Sequence, residues 1–359
     1  MLIERYLATN ATVENRLLAV GLACPLLRLD QVEASNVAHG IAGTINHACG
    51  RTGTSEQIKF GIAAHPRPAA YAFCPPGKVP FVLLTRGLIS GFYAAASYLS
   101  VTGRFLVQDQ LPPLPPQSWP NRYFGLAHIL HCEMTPLLHR QRVLRDMLAA
   151  TAINFIVLHE LGHIINGHLA SGVYGHGAID ETAREIDADV RLTRRTLEFD
   201  ADAFAALHNL SVSGGGASNL NINSSSEIES SLRLVVAGGS LAQLFFELFD
   251  PGIEEDYRPR THPPALVRLK MFCSLYPRLY ERERGRGSNW PDIDVSDVCS
   301  RMVAEREAAL MAWSIPTSIV DIGIAEAMAT PFLREVRARW AEIRPALQAA
   351  KLGTSNLAP

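Results

Sequence analysis

The segment from Ile153 to His168, INFIVLHELGHIINGH, sets two histidines four residues apart with a glutamate directly after the first. On a helix, His159 and His163 stand about 40° apart in projection and one turn apart in height, so both imidazoles can meet one Zn²⁺ at about 2.0–2.1 Å. Glu160 then lies beside the metal rather than on it. There it can take the proton from a zinc-bound water as that water attacks a carbonyl. Ile156, Val157, Ile164 and Ile165 are apolar on several faces, which predicts a buried helix, and ionisable groups in such a helix need a reason. Metal binding supplies one, whereas two hydrogen-bonded core histidines are the plainer reading of the same residues.

A catalytic zinc site wants a third protein ligand. The pattern HExxHxxGxxH is excluded because Asn166 and Leu169 stand where Gly and His are required. His168 is no substitute, since it falls about 180° round the helix from His159, and Asn166-Gly167 predicts a helix C-terminus. Carboxylates remain. In Leu197-Glu198-Phe199-Asp200-Ala201-Asp202, Glu198 and Asp202 stand one turn apart on a strongly apolar helix. Glu198 would bind the metal, and Asp202 would accept the second ring N–H of a ligating histidine. Glu185 with Asp189 repeats this spacing thirteen residues earlier, but in a stretch where charges cover every face. Glu198 is favoured for its apolar neighbours.

The elements that must position these groups read as follows. Ile58, Phe60 and Ile62 alternate, and Val79 to Leu84 is rich in strand formers, so a hairpin or two neighbouring strands is expected about the turn Cys74 to Lys78. Helices are expected in the first 60 residues, over Leu88 to Leu99, Arg140 to Asn166, about 297 to 313 and 331 to 350. The last begins at Thr330-Pro331, an N-cap residue before a proline. Leu111 to Pro120 holds five prolines and reads as a surface connection. Ser211 to Ser226 is poor in large apolar groups and reads as a mobile loop between helices. Arg282 to Arg286 reads as a solvated turn.

The ordered set His159-Glu160-x-x-His163, Glu198-x-x-x-Asp202 and Thr261-His262-Pro263-Pro264 with Arg268 resembles the HtpX-type gluzincin metallopeptidases. Tyr71 to Leu88 is similar to that family's strand and turn before its first active-site helix. A weaker resemblance is to the phage-exclusion protease Lit, an HExxH peptidase that cuts a translation factor. The resemblance covers about 70 to 270 and implies an α+β, mainly helical fold: a zincin-like core with a small β-sheet and extra N- and C-terminal helices. Its segments would be a helical extension 1–56, a metallopeptidase domain 57–275 and a helical region 276–359. It implies zinc-dependent endopeptidase activity with Glu160 catalytic and His159, His163 and Glu198 on zinc. Phage-exclusion kinship points to a narrow protein substrate in defence or stress. In that setting Val79 to Leu84 would be the edge strand that receives an extended peptide. His262 could reach the tetrahedral oxyanion or clamp a structural turn, and Arg268 could pair with Asp200 or Asp202. The rival reading is a non-catalytic zinc-binding or scaffold protein that retains the fold.

Composition bounds the rest. With 48% hydrophobic and 19% charged residues, the 359-residue chain can bury a sizeable core. Thirty-three basic residues against 35 acidic ones leave a formal charge of −2, so nothing attracts nucleic acid globally. The expected partner is a peptide or protein. Six cysteines without a CxxC pair suggest a reducing, cytoplasmic setting. Leu17 to Leu27 has the length of a signal core but lacks a basic lead. Leu234 to Phe249 is too short to cross a bilayer, and no span is expected.

Overall fold

Strand-forming residues gather in three short runs, and these build a sheet with strand order β1-β3-β2, where β1 is Lys59–Ala63, β2 is Ala70–Phe73 and β3 is Phe81–Thr85. The computed structural model describes residues 26, 32–55, 57–74, 79–102, 137–171, 187–219, 225–249, 265–285, 291–312 and 322–353. β3 is the central strand. It pairs parallel with β1, Phe60 opposite Val82, and antiparallel with β2, Tyr71 opposite Leu83. Val82 and Leu84 face the main helical core with Phe60 and Ile62, whereas Phe81 and Leu83 face a smaller cluster with Ala63 and Phe73. Both faces are thus buried, which is why β3 is apolar without alternation.

The edge-strand expectation for Val79 to Leu84 is therefore overturned. β3 is flanked on both sides, and the outer strand that packs against the histidine-bearing helix is β2. The neighbouring-strand expectation holds for β1 and β3, while β2 was not foreseen. Residues 75–78 of the expected turn lie outside the described residues, as do Leu111 to Pro120 and Leu17 to Leu27 apart from Leu26.

Among the described residues the helices are α1 (Val32–Thr52), α2 (Arg86–Thr102), α3 (His139–Ile165), α4 (Ala188–Asn219), α5 (Ser225–Phe249), α6 (Ala265–Arg284), α7 (Val295–Ala312) and α8 (Ile322–Ala350). The chain is mainly helical beside its small sheet. α3 is the central member, packed against α1, α2, α4 and α5 and against β2. By length and composition it could cross a bilayer, but 83% of its most apolar window is buried within the protein. Thr85 starts α2, its hydroxyl accepting the Leu88 N–H at 3.2 Å.

Three expectations need correction. α4 continues through Asn219, so the backbone from Ser211 to Asn219 is helical rather than loop. Extending a helix nucleated many turns earlier costs only about 1 kcal/mol for each glycine. α8 begins at Ile322 and carries Pro331 inside it, so Thr330 is not its cap. Residues 282 to 284 end α6, and Glu283 is buried against Arg51 at 2.8 Å rather than solvated.

His208 on α4 links this packing to pH. Its ring lies 4.2 Å from that of Phe204, and its Nδ1 has no hydrogen-bond partner among the described residues. Burial first, then the nearby Arg51 and His47, pushes its pKa down to about 3. The unfolded chain binds this proton near 6.5 and the folded chain only near 3, so the contribution is complete above 6.5 and is lost as pH falls between the two. Urea unfolding at pH 7 and pH 5 should show a loss of about 2 kcal/mol in the wild type that His208→Phe does not share. Equal losses in both proteins would contradict this account.

Candidate metal centre

Two helices must approach closely for the motif residues to meet, and small residues at their crossing allow it. A methyl group at Gly162 of α3 would sit 3.0 Å from the Cα of Ala201 on α4 and 3.2 Å from the Cβ of Phe204. One helical turn before Ala201 on α4 stands Glu198, and directly after it Asp202. Flanking Glu198, Leu197 packs on Ile343 and Leu347 of α8, and Phe199 packs beside Phe332 and Val336 of the same helix. The turn of α4 that carries the carboxylates is thereby held from two sides.

His159, His163 and Glu198 come together as expected, all buried, with one donor atom from each within 4.8 Å of the others. His159 Nε2 lies 3.2 Å from His163 Nε2 and 3.1 Å from Glu198 Oε2, and His163 Nε2 lies 3.4 Å from Glu198 Oε1. A tetrahedral ion with ligands at 2.0–2.1 Å requires donors about 3.3 Å apart, and the two imidazole nitrogens and the nearer Glu198 oxygen of each stand close to that spacing. Glu160 is half-buried where its neighbours His159 and Leu161 are buried, and its charge reaches the Arg268 guanidinium.

Asp202 meets the His159 ring. Its Oδ1 accepts from His159 Nδ1 at 2.8 Å, which leaves Nε2 as the nitrogen whose proton a metal would displace. Arg268 on α6 settles on Asp202, donating through Nε at 2.7 Å and Nη2 at 2.5 Å. Burial opposes ionisation of Asp202, but Arg268 and then His159 overcome it and hold the carboxyl below its usual range. Burial likewise opposes protonation of His159, yet the Asp202 and Glu198 carboxylates push its pKa up to about 10. Proton and cation compete for the same nitrogen.

Asp200 leaves α4 in another direction. Its Oδ2 accepts from Asn166 Nδ2 at 2.6 Å and from His168 Nε2 at 3.0 Å. His168 is fully buried, and its Nδ1 lies 2.9 Å from His163 Nδ1. It is outside the ligand triangle, as the sequence implied, but not outside the site. Once a cation displaces the extra proton of His159, three carboxylates face one guanidinium among the side chains joined by these contacts. The two remaining negative charges are what a divalent cation would neutralise.

Helical spacing foresaw that His159, His163 and Glu198 would meet but missed His168 and Asn166. The signal was present, since the Asn-Gly that ends α3 turns the next residue back over the last turn. Asp189 is paired with Arg339 on α8, away from this cluster. Glu185 and His262 lie outside the described residues.

Residues 133–286 match the protein family described as Peptidase U49, and the match spans α3 to α6 and hence every residue of this site. That supports a protease family, one that includes Lit. The chain matches no curated protein and no solved structure.

Removing Arg268 would leave the Asp202 charge buried without its counter-ion. Arg268→Met should therefore destabilise the protein by about 3–5 kcal/mol, and adding Asp202→Asn should restore part of that loss. Unfolding curves for the single and double variants check this, and no recovery in the double variant would contradict it.

Proposed function

We propose that the chain is a zinc-dependent endopeptidase of gluzincin type, with His159, His163 and Glu198 holding the ion and Glu160 acting as general base. The observation that carries this reading is the buried donor triangle, with Glu160 next to His159 in the chain, inside a span similar to a peptidase family. Two imidazole nitrogens and one carboxylate oxygen are the donor set of catalytic zinc sites that keep a position open. When bound, the ion polarises both water and the carbonyl under attack.

The remaining work belongs to the chain. The Glu160 carboxylate accepts the proton of the attacking water and passes it to the departing amine nitrogen, so that the leaving group is a neutral amine. Glu160 suits this role because it follows His159 directly in the chain and is only half-buried. Asp202 and Arg268 keep the His159 ring oriented throughout. A substrate backbone laid along β2, the outer strand against α3, would carry its carbonyl towards that helix. His262 is the proposed oxyanion contact. The substrate is a peptide or protein, in a narrow role in defence or stress, and the setting is cytoplasmic, in keeping with six cysteines without a CxxC pair.

Glu160→Gln fills the same volume but cannot take the proton. It should keep its bound metal and lose about 10²-fold or more of its hydrolysis of an unfolded protein substrate. Metal analysis alongside the cleavage rate checks both halves, and an active Glu160→Gln protein would sink the mechanism.

A further inference from the structure

The end of α3 is a Schellman turn, and its geometry brings His168 back to a metal ligand. Gly167 has φ +78°, its N–H bonds to the Ile164 carbonyl at 3.3 Å, and the His168 N–H bonds to the His163 carbonyl at 3.1 Å. In such a turn the side chain after the glycine folds over the residue five positions earlier, usually as an apolar contact. Here those two residues are His168 and His163. Their rings meet edge to face with centroids 5.0 Å apart.

The turn is pinned from outside. A Cβ at position 167 would lie 2.7 Å from the Ala350 carbonyl carbon and from the Lys351 nitrogen, and the Leu352 N–H donates to the Ile165 carbonyl at 2.9 Å. The chain after α8 thus closes over the reversal and leaves His168 no solvent-facing alternative.

Hydrogen-bond logic then fixes every proton. If His163 offers Nε2 to a metal, its Nδ1 must carry the hydrogen and donate. His168 Nδ1 must accept it, so His168 Nε2 carries the hydrogen and donates to Asp200 Oδ2, which also receives Asn166. We propose that His168 is a positioning residue for the metal, an intermediate imidazole through which Asp200 orients His163 and sets its tautomer. The two ligand histidines are then held differently, His159 by Asp202 directly and His163 by Asp200 through a second ring.

This rests on the metal-holding role proposed above for the triangle, and the experiment separates the two. Co²⁺ affinity by chelator competition and the visible spectrum of the Co²⁺-loaded protein are measured for wild type and three variants. Asn places a polar atom where His168 Nδ1 stands. Gln places one where Nε2 stands, and Phe supplies only the ring volume. His168→Gln and His168→Phe should weaken Co²⁺ binding about 10–100-fold with a shifted spectrum, and His168→Asn, which keeps the acceptor for His163 but not the link to Asp200, should lose measurably less than either. Wild-type affinity in all three variants overturns the proposal, as do equal losses in all three, the mark of lost packing alone. A wild-type protein that takes up no Co²⁺ overturns the metal-holding role as well.

Discussion

A carboxylate removed from water must find a cation or several donors, and α4 buries three within five residues: Glu198, Asp200 and Asp202. Much else in the protein can be read as an answer to that constraint. α6 supplies Arg268 to Asp202. α3 supplies His159 and His163 to Glu198, and the turn that ends it supplies Asn166 and His168 to Asp200. Asp202 also meets His159, so the partners come from α3, its terminal turn and α6, and the set closes only when three helices and one turn are all in place.

Elements far from the chemistry carry part of this load. α8 lies outside the matched peptidase span, yet Leu197 and Phe199, on either side of Glu198, pack on it. Its exit closes the Gly167 turn. The buried apolar clusters therefore do more than stabilise: they fix the turn of α4 that carries Glu198. Close packing of this kind also explains the glycine at 162, where a side chain would separate α3 from α4 and lengthen each donor separation.

Local periodicity made much of the site legible. His159, His163, Glu198 and Asp202 repeat at the pitch of a helix, and an apolar surround on both segments forecast their burial. What local pattern could not carry was set by chain reversal and by neighbours. His168 looks remote on a helical projection but returns through a left-handed glycine. The role of β3 was misread, although its unbroken apolar run is the pattern of a strand covered on both faces, and that points to the middle of a sheet. Ser211 to Asn219 was misjudged from composition and Thr330-Pro331 from a local start signal, because a helix anchored elsewhere extends through residues that would break or begin one.

The central claim is that the buried triangle holds one divalent ion, and metal content of the purified protein tests it most directly. One zinc per chain in the wild type and in Glu185→Ala, falling to near none in Glu198→Ala, is the predicted result. Full metal in Glu198→Ala, or its loss in Glu185→Ala instead, would contradict the account.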